Sequence, residues 1–240
     1  MIPFFRKVRK KLADDNKPIK YLRYAIGEIV LVVIGILIAL QLNNYNDYQK
    51  TITNEQEVLK SLEKEIIENI DQLNKSKIRD KIFFNTASEV ILKLKQGKDT
   101  FTTKEISDCF NYVSNSVNSP VLDMIVMSNS NLLVKRKYLI EEFRNLQYNY
   151  SMIGEQEFYL DDFWNSKVTD FFISCGFTLE YTKTDPLISL TDIEKAGYSK
   201  KQFIALLNLK KDLHSYITKR VKEAQDKSED ILKLLKTDSE

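Results

Sequence analysis

The pattern of apolar residues changes character once along the chain. From Tyr24 to Leu42 the sequence reads YAIGEIVLVVIGILIALQL, apolar on almost every face of a helix. Further on, apolar residues recur every three or four positions among Lys, Glu and Asn, the pattern of a helix with one buried side. At about 1.5 Å per residue the first stretch covers roughly 27 Å, close to the hydrocarbon thickness of a bilayer. The pattern predicts an all-α chain: an N-terminal transmembrane helix, then an extracytoplasmic helical bundle of long amphipathic helices. The expected divisions are a basic leader over 1–23, a signal anchor over 24–42 and an outer helical domain over 43–240.

Punctuation residues place the outer elements. No Gly or Pro occurs from Ile36 to Gln96, which favours helix throughout. Asn43, Asn44, Asn46 and Asp47 weaken propensity enough to allow a break, and the capping box Thr53-Asn-Glu-Gln56 is placed to start a new helix. Leu59, Leu62, Ile66, Ile70 and Leu73 form its expected apolar stripe, and Gln96-Gly97-Lys98 its end. Thr102-Thr-Lys-Glu105 opens a short helix, Ser119-Pro120 caps another, and Ser199-Lys-Lys-Gln202 begins a last long one with Phe203, Leu206, Leu207, Leu213, Tyr216, Ile217 and Val221. Between them a long helical pattern runs from about Leu132 to Phe172, including Phe158, with Gly154 as a bend and Cys175-Gly176-Phe177 as its close. Phe177, Leu179 and Tyr181 alternate, which predicts one short strand in an otherwise extended connection.

Charge orients the apolar stretch. Residues 1–23 carry eight Lys and Arg against Asp14 and Asp15, a net +6 in a chain whose total is +2. Basic residues beside a span stay in the cytoplasm, so the remainder is expected outside. Arg6, Lys7, Arg9, Lys10 and Lys11 are the expected lipid-facing basic residues. They alternate with Phe4, Phe5, Val8 and Leu12, either as an amphipathic helix on the anionic leaflet or as a basic tail held by charge. Pro18 suits the first turn of the membrane helix. A cleaved signal peptide is the competing reading. The long basic leader, the long apolar run and the lack of a small-x-small site after it, where Gln41-Leu42-Asn43 stands, argue for an uncleaved anchor.

Within the span, Glu28, Val32, Gly35, Ala39 and Leu42 share one face. Gly35 and Ala39 have the small-xxx-small spacing that brings two backbones close, which suggests an interface with a second copy or another membrane protein. The alternative places Glu28 at headgroup depth with Gly35 and Ala39 as ordinary span residues.

The segment from Tyr24 to Asn44, with the Phe4-Phe5-Arg6-Lys7 leader before it and Tyr45-Asn46 after it, resembles domain-of-unknown-function family 6090, uncharacterised single-span proteins of Bacteroidota. The resemblance covers roughly the first 50 residues, and Tyr45 stands where Trp is common in that family. It implies an inner-membrane protein with its C-terminal domain in the periplasm, and it carries over no catalytic residue.

Composition argues against most enzyme classes. One histidine, His214, and six glycines leave no His-based metal set and no phosphate-binding glycine loop. The acidic pair Asp161-Asp162 reads as a solvated face. Cys109 and Cys175 would stand in a compartment where disulfides form, and their apolar neighbours equally suit two buried thiols. The basic excess sits beside the membrane, so its partner is lipid rather than nucleic acid. No enzyme and no cofactor is expected. The expected role is a structural or interaction module that binds another envelope component or itself. Two alternatives are a ligand-sensing bundle, with tyrosines and Trp164 lining a cleft, and an accessory subunit of an ion-driven complex using Glu28.

Overall fold

A computed structural model describes residues 18–110, 114–128, 131–177 and 187–237. The protein is mostly helical, with one long apolar helix at its N-terminal end. Its chain divides into two compact units, residues 1–55 and 56–240. Helix α1, Pro18–Lys95, contributes to both. The leader residues Arg6, Lys7, Arg9, Lys10 and Lys11 lie outside the described residues.

In the first unit α1 begins at Pro18, the position where a missing N–H costs least. The break that Asn43–Asp47 would allow does not occur. Asn43 Nδ2 instead donates to Asp47 Oδ2 at 3.1 Å, a one-turn clasp on the helix surface. Thr53 does not start a helix either. Its hydroxyl donates back to the Gln49 carbonyl at 3.1 Å, as Thr51 does to Asp47 at 2.8 Å. A capping-box residue inside a helix can satisfy its hydroxyl this way, so the motif alone does not set a boundary.

In the second unit the inward positions of α1 alternate by three and four residues: Leu59, Leu62, Ile66, Asn69, Leu73, Ser76, Asp80, Phe83, Ala87, Val90 and Leu94 are all buried. That 3.5-residue period is the one that lets helices pack along their length. Asn69 occupies the inward place expected of Ile70, which is half-buried. The last helix, α7 (Lys200–Thr237), keeps the same period from Phe203 through Leu207, Lys210, His214, Ile217 and Val221. Helix α4 (Ile140–Phe163) adds Phe143, Leu146, Tyr150, Ile153, Glu157 and Leu160. Phe158 and Tyr216, expected on these stripes, are exposed instead.

Polar contacts fix the register between these helices. The Tyr150 hydroxyl meets Ser228 Oγ at 2.8 Å, and Lys227 on α7 pairs with Glu142 on α4. On the α1 side, Gln225 Nε2 donates to Asn74 Oδ1 at 3.0 Å and Gln225 Oε1 accepts from Lys77. Buried Glu157 accepts from Ser114 Oγ at 2.9 Å and from Asn115 N and Ser116 Oγ, which pins the segment around residues 114–116.

The short elements close one end of this core. Strand β1 (Thr100–Thr102) pairs antiparallel with β2 (Leu187–Ser189), placing Phe101 opposite Ile188. The strand expected at 177–181 falls mostly outside the described residues; β2 lies further along the chain. Helix α2 (Thr103–Phe110) has the reciprocal cap its sequence predicts: Glu105 N donates to Thr102 Oγ1 at 3.1 Å, and Thr102 N to Glu105 Oε2 at 2.9 Å. Ser199 and Gln202 do the same for α7.

Helix α3 (Pro120–Met127) differs. Ser119 holds its N-cap position, but the Ser119 side chain makes no cap bond. Glu65 of α1 supplies it, accepting from Val121 N at 2.7 Å and Leu122 N at 3.0 Å. Burial lifts the Glu65 carboxyl above its ordinary value, against the opposing pull of those two N–H donors.

The expected bend at Gly154 is absent, and α4 runs through it. The irregularity comes at Trp164–Val168, one wide π turn that leads into α5 (Thr169–Cys175). There Trp164 Nε1 donates to the Phe110 carbonyl at 2.9 Å. Gly176 ends α5 with φ 67°, a left-handed conformation open to glycine at little cost. Phe110, Phe171, Phe172 and Phe203 fill this end with ring centroids 5.4–6.5 Å apart. A further capped helix, α6 (Leu190–Lys195), follows β2.

Candidate functional site

The inward stripe of α7 carries two titratable side chains, Lys210 and His214, one turn apart on the same face. Their place on the stripe is set by Phe203 and Leu207 before them and Ile217 and Val221 after them, all buried. The facing stripe of α1 has Asp80 where the period calls for an apolar residue. A carboxylate, an imidazole and an ammonium thus meet inside a helical core.

Their hydrogen bonds are specific. His214 Nδ1 lies 3.1 Å from Asp80 Oδ1. The Thr218 hydroxyl lies 3.1 Å from Asp80 Oδ2 and 2.8 Å from the His214 carbonyl. An ionised Asp80 can only accept, so the proton belongs on Nδ1 and a neutral ring leaves Nε2 with its lone pair. That Nε2 is buried and has no hydrogen-bond partner among the described residues. The imidazole packs on Phe83, centroid to centroid 4.5 Å, and edge-on to Phe84 at 6.4 Å.

Lys210 is fully buried. Its Nζ donates to the Cys109 carbonyl at 3.1 Å and sits 4.6 Å from the Phe83 ring centroid and 5.7 Å from that of Phe110. Burial pushes the ammonium down to about 7, with the charge of Asp80 pulling the other way. The two ring faces and the carbonyl are among the groups that stand in for the hydration a lysine loses.

Beside the cluster is a cavity of about 170 Å³ lined by Arg79, Asp80, Ile82, Phe83, Lys104, Asp108 and His214. Lys104 and Asp108 pair across one turn of α2 at 2.7 Å. Arg79 reaches Asn115 Oδ1 at 3.4 Å, too long for a strong bond. The lining presents an oriented imidazole, two cations, two carboxylates and one aromatic ring. No Ser, Thr or Cys is among these lining residues. Among the described residues, no three His, Cys, Asp or Glu side chains gather as a metal site would need.

The residues singled out by sequence fall elsewhere. Val32, Gly35, Ala39 and Leu42 are exposed on α1, and Glu28 is half-buried. Cys109 is buried and Cys175 half-buried; both are free thiols, so the disulfide left open by sequence is not formed. Burial raises Cys109 to about 12 and Cys175 to about 11, which makes both poor nucleophiles. Trp164 is spent on the Phe110 carbonyl and does not line the cavity. Asp161 and Asp162 are solvated, as expected.

Sequence reasoning treated His214 as an isolated residue and passed over Lys210 and Asp80. A signal existed: polar residues standing at inward positions of a strict three-four alternation. Pairing Asp80 with a residue 134 positions away has no local signal. Comparison with family models, with curated proteins and with solved structures finds no match.

Proposed function

We propose that this chain is a single-span inner-membrane protein whose helical bundle stands in the periplasm and works by binding another envelope component or a second copy of itself. One observation carries the reading. The segment of α1 that is long and apolar enough to cross a membrane has none of its residues buried against protein. Leu31 is 69% exposed and Leu37 54%. Apolar area is worth about 25 cal/mol per Å² when removed from water, so a run this long calls for lipid or a partner helix. The basic leader favours a cytoplasmic N-terminus. The resemblance to family 6090 over the same residues agrees with this placement.

The test is topology. Full-length protein with a C-terminal tag should pellet with membranes after carbonate extraction. The tag should be cut by protease once the outer membrane is opened, with the inner membrane intact. Recovery in the soluble fraction, or a tag protected until the inner membrane is lysed, overturns the placement. Cross-linking in intact cells followed by purification in mild detergent then reads the interaction. A second species or a dimer band is expected, and a strictly monomeric, unaccompanied chain argues against an interaction role.

A second reading, a ligand-sensing bundle, is favoured by the cavity beside His214.

A further inference from the structure

We infer that the open groove between α4 and the chain entering α3 binds an extended, uncharged sugar chain, with one ring stacked on Tyr148. The inference goes beyond the membrane placement and depends neither on it nor on the cavity beside His214. On α4 the lining positions run from Arg144 to Gly154, about 15 Å of helix. Ser119 and Asp123 stand across from them. The groove's volume of about 580 Å³ falls within the roughly 300–1,000 Å³ of small-molecule sites.

Two features of the lining have no use inside the chain. Gly154 lies in a helix interior, where glycine weakens the helix. Packing does not explain it, because a Cβ there would meet nothing within 4 Å. A glycine without an internal reason leaves room for something that approaches from outside. Ser119 holds the N-cap position of α3, but Glu65 takes the N–H groups of Val121 and Leu122, and the Ser119 side chain makes no cap bond. Its hydroxyl is thereby left to the groove.

The remaining groups select the ligand. Asp123 Oδ1 accepts from Gln147 Nε2 at 2.6 Å, and Arg144 Nη1 donates to Glu141 at 2.5 Å. The groove's cation and its carboxylate are both engaged and offset each other in sign, which favours an uncharged ligand. The Asp123–Gln147 bond leaves Asp123 Oδ2 and Gln147 Oε1 as further acceptors, and hydroxyls on adjacent carbons supply donors for such acceptors. Tyr148 is 59% exposed, and its ring offers a negative π face to C–H groups. A pyranose with equatorial substituents shows only C–H on its faces and O–H around its rim, which matches an aromatic face bordered by acceptors. A β-linked pair of such rings is straight and flat, like the groove along α4, and an α-linked pair bends away.

The experiment uses the full chain in lipid nanodiscs, with empty nanodiscs as the blank. Cellobiose, maltose and glucose 6-phosphate are titrated by calorimetry and by saturation-transfer NMR. Cellobiose is expected to bind, with the strongest transfer at its ring-face C–H protons, and the other two at least roughly tenfold more weakly. Tyr148→Ala should weaken cellobiose by a similar factor. Gly154→Leu should do so by filling the groove, with the helical circular dichroism retained. Tyr159→Ala, at an exposed aromatic outside the groove, should leave the affinity unchanged. If Gly154→Leu fails to fold, Tyr148→Ala still decides. Cellobiose binding weaker than roughly 10 mM overturns the inference, as does an unchanged affinity in a folded Tyr148→Ala or Gly154→Leu protein. Equal binding of maltose overturns the straight-chain fit, and tighter binding of glucose 6-phosphate overturns the choice of an uncharged ligand.

Discussion

Between Ala25 and Leu42, α1 is apolar on nearly every face and uncovered; between Leu59 and Leu94 it is apolar on one face, and that face is closed. The hydrogen-bond ladder is the same in both stretches. Only the side chains differ, and with them the solvent each stretch fits. The first has the all-round hydrophobicity of a helix whose solvent is lipid. The second has a 3.5-residue stripe that other parts of the same unit close. Polar residues are distributed accordingly. Glu28 is the sole Asp, Glu, Lys or Arg from Tyr24 to Leu42, whereas the closed stripe admits Asn69, Ser76 and Asp80: Ser76 Oγ donates to Asn115 Oδ1, and Asp80 meets His214 and Thr218 of α7.

The strongest way to break this comparison is to make the first stretch amphipathic. Ile34→Lys with Leu37→Lys should abolish carbonate-resistant membrane association. Each central lysine costs about 3 kcal/mol of insertion free energy. The thermal transition of the second unit should stay where it was. Retained membrane association would show that the uncovered apolar run is not what holds the chain there.

Truncation sharpens the contrast next. Leu62 is fully buried, so Leu62→Ala should lower stability by about 3 kcal/mol in urea denaturation of the full chain in detergent. Leu31→Ala should shift the same curve by less than about 0.5 kcal/mol, since no protein packs on it. Equal effects would mean that Leu31 is packed in the native assembly.

The polar residues within the closed stripe give a smaller, pH-dependent effect. Folding lowers the Lys210 ammonium from its ordinary 10.5 to about 7. Between those values the unfolded chain holds a proton that the folded chain has shed, so stability rises with pH. The full charge penalty is present below pH 7. Between pH 7 and 8.5, before free thiols ionise, the slope should approach about 1.4 kcal/mol per pH unit. Lys210→Met should flatten that slope and raise stability at pH 6, read from denaturation midpoints at several pH values. An unchanged slope would place the titration elsewhere.

The smallest expected effect lies on an open face. Gly154 is exposed inside α4, and a Cβ there would meet nothing within 4 Å. Gly154→Ala should add roughly 0.5–1 kcal/mol through helix propensity and unfolded-state entropy. Gly176→Ala should do the reverse, because its φ of 67° strains any Cβ. A neutral or destabilising Gly154→Ala would indicate that this face is covered in the working protein.

Legibility followed the range of the interaction. The caps at Thr102–Glu105 and Ser199–Gln202, the ends at Gly97 and Gly176, and the helix beginning at Pro18 were readable because each depends on residues within one turn. The cap on α3 was misassigned to Ser119 because its true acceptor, Glu65, is remote in sequence. Thr53 was over-read because a capping box and an interior back-bonded threonine look alike without the chain before them. The candidate site was nearly invisible: its lining comes from three helices, and its buried imidazole nitrogen lacks a hydrogen-bond partner among the described residues.

By itself the sequence determined that the chain is helical, where its main helices end and which stretch is fit for lipid. Local hydrogen bonding and transfer energy act residue by residue and leave their mark in composition and spacing. Only the tertiary structure decided that Lys210 loses its water and that His214 faces Asp80. Those outcomes depend on which stripes close against one another, and desolvation has no value until the neighbours are in place.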